Sequence, residues 1–416
     1  MKKRIFASII YITVTIIVSC GRVPQTKKER SFMKFILTKV KTYFGKLDKL
    51  LLLMCAGIAG FAVFIQYTLY TNDISEAVSD SQYKTQLIAV IGGIIIAMII
   101  AGINYKFIAK LWYIYGPIAL GLTLLLFTSL GLQREGADDI GWLDFGIMTI
   151  QPSEILKLAF ILSFAYHLSK VEDRMNEPIH FILLCIHGAV PTLIIVETGD
   201  DGSALVFIFI FICMMIAAGL SWKYMALIAV AIPPGVYVLW NYLMQPHQQK
   251  RFQVLWDTQM QQEEALGIYM QQRVGKIALG SGGLTGLGLS GGDYTYVPEI
   301  HNDFIFSYIG MTMGLLGCLL VVGLLALLSL KILSNSSGAK DTLGRMICIG
   351  VFALIVFHTT INIGMVLGVA PVIGIPLPFF SAGGTSAVCL FVAIGLVLSV
   401  SFHNSTKYRM FYTEKD

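Results

Sequence analysis

Residues 297–330 read VPEIHNDFIFSYIGMTMGLLGCLLVVGLLALLSL. No charged residue stands between Asp303 and Lys331, a run long enough to cross a hydrocarbon core about 30 Å thick. That run decides the fold class, because a helix satisfies its own backbone groups in lipid. The same stretch places a carboxylate, Asp303, where the chain re-enters the membrane. A carboxylate at the lip of a span is costly without a partner or a function. It closes a polar, Gly-rich and aromatic segment, 243–302, in a chain that is otherwise mostly apolar. A large structured loop on a membrane protein usually carries function.

The remainder of the chain extends the pattern. Of 416 residues, 56% are hydrophobic and 13% charged, about half the charge of a soluble domain. Windows of about 20 apolar residues predict ten spans, at 48–70, 84–103, 109–131, 152–170, 178–197, 203–220, 223–242, 303–330, 344–368 and 384–403. The expected architecture is an all-α polytopic membrane protein, with a large extracytoplasmic loop and a re-entrant stretch near 369–384, where Gly and Pro interrupt the helix. Irregular backbone survives at that depth only when it lines a cavity or is buried in protein. Lys106, Lys110, Lys170, Arg174, Lys223, Lys331, Lys340, Arg345, Lys407 and Arg409 fall on one side, which the positive-inside rule makes cytoplasmic. Asp73, Glu76, Asp80, Asp138, Asp139, Asp200 and Asp201 fall on the other, with the 243–302 loop. The net charge of +5 therefore belongs to cytoplasmic connections and implies no nucleic acid. Six of the seven cysteines lie in apolar spans and none forms a CxxC pair, which reads as small apolar packing.

Three regions follow: a basic extension, 1–45; a membrane domain, 46–405; and a cytoplasmic tail, 406–416. The extension opens like a signal peptide, with Lys2-Lys3-Arg4, an apolar run and the lipoprotein-like Ile17-Val18-Ser19-Cys20. Exporting the cations that follow (Lys27, Lys28, Arg30, Lys34, Lys39, Lys41, Lys46, Lys49) would break the charge rule and invert the core. A non-native extension with Met33 as an alternative start, an extra membrane-associated helix and a cleaved signal all stay open.

Several polar features stand out against this background. In Gln151-Pro152-Ser153-Glu154-Ile155-Leu156-Lys157, proline suits the first helical turn, and Glu154 and Lys157 share a face and can pair. The pair reads either as a structural lock or as the wall of an outward cavity. Trp142 reads as an interfacial anchor or as the lining of a groove. Asp200-Asp201-Gly202-Ser203 fits a solvated turn with a helix N-cap. Ser281, Gly282 and Gly283 belong to a Gly-rich run, 280–288, whose bare N–H groups suit close backbone approach or a phosphate. Arg251 is among the cations near it in sequence. No HExxH, Cys/His metal spacing or Walker loop is present, so no intrinsic ATP use is indicated. Asp303 is the best candidate base, weighed against a helix cap; His301 is the nearest rival.

Taken together these motifs resemble the SEDS family (shape, elongation, division and sporulation), which includes RodA and FtsW. The resemblance runs from about 48 to 403. It rests on Asn362-Ile363-Gly364-Met365-Val366-Leu367-Gly368, Pro371, Gly374-Ile375-Pro376-Leu377-Pro378-Phe379, Ser381-Ala382-Gly383-Gly384-Thr385-Ser386, QPSEILK, GSGGLTGLGL and VPEIHNDFIFS, in the family's order. NIGMVLG reads closer to the RodA branch. The resemblance implies a peptidoglycan glycosyltransferase that polymerises lipid II at the outer face of the bacterial cytoplasmic membrane. Asp303 would be the general base on the acceptor hydroxyl, with undecaprenyl-linked glycan as donor. Trp142, Glu154, Lys157, Arg251, Ser281, Gly282, Gly283, His301 and Ser381 would line the cavity or bind substrate. A class B penicillin-binding protein and membrane lipids are the implied partners. No cofactor is implied with certainty, and a divalent cation is left open. Four positions depart from the family pattern: Gly141 replaces an arginine, Asn302 a threonine, Met311-Thr312 an acidic pair, and Ala382 a tyrosine. A lipid-linked precursor flippase and a non-catalytic scaffold for a wall synthase are the competing readings.

Overall fold

The computed structural model describes residues 27–72, 74, 80–133, 139–146 and 149–404. The stretch before residue 27, Asp73, Glu76, Asp138 and the tail with Lys407 and Arg409 lie outside the described residues. The chain divides into two compact units, 50–404 and a smaller one, 1–49 with 405–416. The described part of the smaller unit is a single helix, α1 (Lys27–Lys46), closed by a Leu47 N–H to Tyr43 carbonyl bond of 3.1 Å.

The larger unit is a helical bundle. Its elements are α2 (Lys49–Thr71), α3 (Asp80–Gly102), α4 (Tyr105–Lys110), α5 (Trp112–Leu124), α6 (Pro152–Lys170), α7 (Pro178–Glu197), α8 (Asp201–Ala218) and α9 (Trp222–Val238). They continue with α10 (Pro246–Gln253), α11 (Thr258–Glu263), α12 (Met270–Ser281), α13 (Ile305–Ser337), α14 (Thr342–Leu367) and α15 (Gly384–Asn404). The boundaries follow from local chemistry. Proline opens α6, α7 and α10, where a missing N–H costs nothing. Left-handed Gly219 and Gly368 close α8 and α14.

Among the described residues eight helices are long and apolar enough to cross a membrane: α2, most of α3, α7, α8, α9 with the turn after it, α13, α14 and α15. The expected count of ten is not reached on that measure, and the two shortfalls have distinct causes. The 109–131 stretch is divided between α4 and the short apolar helix Trp112–Phe127, which contains Pro117. The 152–170 stretch is one helix, α6, but Glu154, Lys157 and Lys170 make it more polar than a lipid-facing span. It is buried along most of its length, as a helix at the centre of a bundle must be. Next to it, α14 packs against α6, α8, α13 and α15, while α15 runs along α3.

Two further features are absent from the all-helical expectation. Residues 131–150 hold a small antiparallel sheet, β1 (Gly131–Leu132), β2 (Trp142–Asp144) and β3 (Thr149–Ile150), with Leu132 opposite Trp142 and Leu143 opposite Ile150. The 243–302 loop carries three helices, α10 to α12. In α12 the buried Gln272, Gly275 and Ala278 recur every three residues, and this face packs on α13. Gly275 leaves room for the Phe304 ring, which a Cβ there would meet at 2.7 Å.

The expected break near 369–384 is present: residues 368–383 are non-helical, with Ile375, Leu377, Phe379, Phe380 and Ser381 buried. A second break was not foreseen. Within α13, Gly314 is left-handed (φ 64°), and the Gly-rich run fills the gap it makes. The N–H groups of Leu287 and Gly288 donate to the Met311 and Thr312 carbonyls at 2.9 and 3.1 Å. Those of Leu315 and Leu316 donate to Gly283 and Leu284 at 2.9 and 3.2 Å. The run thus repairs a broken helix backbone.

Candidate active site

The site is built around the turn that ends the outer loop. Glu299 adopts φ 54°, and its carbonyl accepts from the Asn302 and Phe304 N–H groups at 3.0 and 3.2 Å. Val297, Ile300 and Phe304 are buried and seat the turn. Tyr308, one turn into α13, ties it to α2, its hydroxyl donating to Thr68 Oγ1 at 3.2 Å and accepting from Asn72 Nδ2 at 3.0 Å.

Three successive carbonyls of this turn are then held from three different directions. The His301 carbonyl accepts from Gln66 Nε2 on α2 and from the Ala382 N–H, each at 2.9 Å. The Asn302 carbonyl accepts from Ser381 Oγ at 2.7 Å. The Asp303 carbonyl accepts from Asn362 Nδ2 on α14 at 2.8 Å. Each amide donor also reaches the non-helical segment. Gln66 Nε2 donates to the Phe380 carbonyl and Asn362 Nδ2 to the Ile375 carbonyl, both at 2.8 Å. Gln66 and Asn362 are 1% and 0% exposed, so water does not compete for these bonds. The carboxylate of Asp303 stays half-buried and faces Gly374, with Oδ2 3.8 Å from where a Cβ on that glycine would lie. The backbone is therefore fixed on its inner side while the acid remains at the edge of the protein interior.

The same segment meets the charged pair on α6. Lys157 Nζ lies 2.6 Å from Glu154 Oε1, with side chains only 2% and 7% exposed. The ammonium also lies 3.4 Å from His358 Nε2, and His358 Nδ1 lies 3.3 Å from the Pro376 carbonyl. His358 and Asn362 are one turn apart on α14 and address the adjacent carbonyls of Pro376 and Ile375. A narrow cavity lined by Glu154, His358, Pro376, Ser386 and Cys389 opens between these elements. Buried ion pairs need such extra polar contacts to offset desolvation.

Of the residues expected from the sequence, the structure gathers Asp303, His301, Ser381, Glu154 and Lys157 around residues 375–382. The others lie on other elements. Trp142 is on β2, half-buried. Arg251 is on α10, within electrostatic reach of Asp201, whose carboxylate also accepts from Gln248 Nε2 at 2.5 Å. Asp200 does cap α8, accepting from the Ser203 N–H at 2.8 Å. Ser281 donates to the Ala278 carbonyl at 2.7 Å. A Cβ on Gly282 would meet the Gly310 carbonyl at 1.9 Å, whereas Gly283 has a positive φ of 53° with open space around it, and its carbonyl serves the α13 break. The departures are also accommodated locally. Met311 and Thr312 are 0% and 1% exposed, where an acidic pair would be desolvated. Gly141 sits against Asp139, whose Oδ2 is 2.5 Å from a Cβ built there. Among the described residues no three His, Cys, Asp or Glu side chains converge to hold a metal ion.

Gln66, Gln86, His358 and the role of Asn362 were missed. A readable signal existed, because each is polar within an apolar span, where polar groups are costly and tend to be retained for function. Gln86 Nε2 donates to the Phe379 carbonyl at 3.0 Å, so all four hold the same segment.

Comparison with known proteins places this arrangement. The family model of FtsW, RodA and SpoVE, described as a cell cycle protein, matches residues 47–406. The peptidoglycan glycosyltransferase MrdB of Escherichia coli K12 is 30% identical over 371 residues, covering 87% of this chain and 96% of that protein. The probable peptidoglycan glycosyltransferase FtsW of Trichlorobacter lovleyi is 29% identical, covering 85% and 93%. Among solved structures, a chain from a peptidoglycan synthase complex that coordinates polymerization and crosslinking superposes with a TM-score of 0.72 at 23% identity, over 86% of this chain and 99% of that one. The rod shape determining protein RodA of Thermus thermophilus gives 0.63 at 22% identity, over 85% and 96%. At those identities the structural likeness shows the fold.

Proposed function

The chain belongs to the FtsW/RodA/SpoVE family, and on that premise we propose that it is a peptidoglycan glycosyltransferase polymerising lipid II at the outer face of the bacterial cytoplasmic membrane. It is a multi-pass membrane protein. The observation that carries the catalytic reading is the fixing of three carbonyls, 301–303, beside a carboxylate left at the edge of the interior. A base held this way can meet a substrate hydroxyl in a defined geometry. Asp303 takes the proton from the acceptor hydroxyl of lipid II as that oxygen bonds to the anomeric carbon of the growing glycan. The bond from that carbon to undecaprenyl pyrophosphate breaks, and the pyrophosphate leaves with the electron pair. The activated donor supplies the driving force.

Glu154, Lys157, His301 and Ser381 would shape the cavity around this centre, and Trp142, Arg251, Ser281, Gly282 and Gly283 would contact the lipid-linked sugars from the outer face. A class B penicillin-binding protein would supply crosslinking, in keeping with the synthase complex whose chain shares this fold.

The test is polymerisation of lipid II by purified protein, with and without its partner. Asp303→Asn keeps size and hydrogen bonding but removes basicity, and general bases contribute about 10²–10⁴-fold. Glycan formation should fall to near background in Asp303→Asn and persist in His301→Gln, with expression unchanged. Wild-type polymerisation by Asp303→Asn would end the catalytic assignment. Lipid II crossing vesicles without polymer would favour a flippase, and neither activity would favour a scaffold.

A further inference from the structure

We propose that α1 is an interfacial helix whose occupant is an anionic phospholipid leaflet. The function above does not use this helix, and the two readings stand independently. In Lys27–Lys46 there are seven Lys or Arg residues against one acid, Glu29. That composition excludes a span, since several charges would sit in hydrocarbon. The residues are also sorted. Leu37, Val40 and Phe44 recur at three- and four-residue intervals and form one stripe of the helix, and Leu47, just past its end, is buried. Lys34, Thr38 and Lys41 recur the same way on another.

The surface properties follow the sorting. On the stripe, Leu37 and Phe44 are 61% and 45% exposed although both are large and apolar, and Phe35, on the other side of the helix, is 58% exposed. Lys34, Lys39 and Lys41 are exposed as well. Lys39 Nζ lies 5.5 Å from the Phe35 ring centroid, and these two residues share the side of the helix away from the Leu37–Phe44 stripe. The threonines use their hydroxyls within the helix: Thr38 donates to the Lys34 carbonyl and Thr42 to the Thr38 carbonyl, both at 2.8 Å. A polar face made of ammonium groups and internally satisfied hydroxyls is complementary to an anionic surface. An apolar face of Phe and Leu beside it matches the headgroup–acyl boundary.

Chain continuity favours a membrane over a protein partner. The helix ends at Lys46 and the first span starts at Lys49, so the lipid surface is within reach at no cost in association. The cations of α1 also continue the Lys and Arg excess that marks one side of the chain. Anionic lipid on that side attracts basic segments and releases them as salt screens the charge.

The experiment uses the full chain in nanodiscs of either phosphatidylcholine alone or a mixture with phosphatidylglycerol, with a fluorescent label at Phe44→Cys or Thr42→Cys and the native cysteines replaced by alanine. In the anionic discs, a lipid-borne quencher should reach the Phe44→Cys label and an aqueous quencher the Thr42→Cys label. Neutral discs, high salt or the triple variant Lys34→Gln/Lys39→Gln/Lys41→Gln should each lose lipid-side quenching at Phe44→Cys. Equal aqueous quenching of both labels in anionic discs would overturn the proposal. So would lipid quenching that is the same in neutral and anionic discs, since charge would then play no part. Protection of Phe44→Cys from both quenchers would place a protein, such as a second copy, on this face instead. Circular dichroism at the same stages separates loss of docking from loss of the helix.

Discussion

At the scale of single residues, two side chains that perform no chemistry are expected to matter almost as much as the acid. Asn362 Nδ2 supports the Asp303 and Ile375 carbonyls at once, and Gln66 does the same for His301 and Phe380. Asn362→Leu keeps the volume but removes both bonds, and a buried carbonyl left without a partner costs about 1–3 kcal/mol. A misplacement of about 1 Å can cost on the order of 10²-fold in rate. We therefore expect Asn362→Leu to lower the turnover number for glycan formation by at least tenfold, about 1.4 kcal/mol or more in the barrier, with little change in KM for lipid II. Gln66→Met should do the same. Thermal melting and a kcat-against-KM comparison check this. A variant that loses stability but keeps its turnover number would make Asn362 structural only. The sequence offered half of this. Asn362 sits in the motif that carried the family resemblance, and Gln66 is a polar residue in the apolar Leu50–Tyr70 run. Their partners lie tens to hundreds of positions away in the chain, and no periodicity reports such contacts.

At the scale of elements, eight of the ten expected spans and the non-helical stretch 368–383 were legible because apolar length and the prolines Pro371, Pro376 and Pro378 act locally. The α6 pair was legible for the same reason, since Glu154 and Lys157 are three residues apart and meet at 2.6 Å. The sheet at 131–150 was not, because strands of two or three residues carry no alternation to read. Nor was the use of the Gly-rich run, which suited a phosphate as well as it suited backbone packing. The structure separates the glycines. Gly286 is left-handed (φ 84°), and a Cβ there would lie 2.1 Å from the Thr312 carbonyl, whereas Gly280 is helical with open space around it. Gly286→Ala should destabilise the protein by more than about 1 kcal/mol, and Gly280→Ala should stabilise it by about 0.5–1 kcal/mol. Melting temperatures of the two variants should move in opposite directions. If both melt as the parent does, the run does not support the α13 break.

At the scale of the whole molecule, the contacts between connections divide the bundle into two ends. At one end Lys106 Nζ pairs with Asp341 Oδ2 at 2.6 Å, the Tyr105 hydroxyl donates to the same carboxylate at 2.8 Å, and Arg345 lies 3.8 Å from Glu172. Burial pushes the Asp341 carboxyl up, but Lys106, the Gly344 N–H and Tyr105 together hold it below its ordinary value. These contacts draw the connections after α3, α6 and α13 together, which are the ones that carry the Lys and Arg excess. At the other end Asn72 Nδ2 donates to the Leu289 carbonyl at 3.0 Å, the Ile140 N–H to Thr198 at 2.9 Å, and Ser153 Oγ to Asp200 at 3.3 Å. The outer loop, the sheet and the acidic turns are thus neighbours. Bundle and charge pattern agree on which connections share a side, and the positive-inside rule assigns the basic side to the cytoplasm. Cysteines introduced as Gln259→Cys and Ser290→Cys should then react with a membrane-impermeant maleimide added to intact cells. Asp173→Cys and Ser337→Cys should react only after the membrane is opened. Labelling of Asp173→Cys but not Ser290→Cys in intact cells would put Asp303 on the cytoplasmic face. A base there could not extend glycan strands outside the membrane, so the topology and the catalytic reading would fall together.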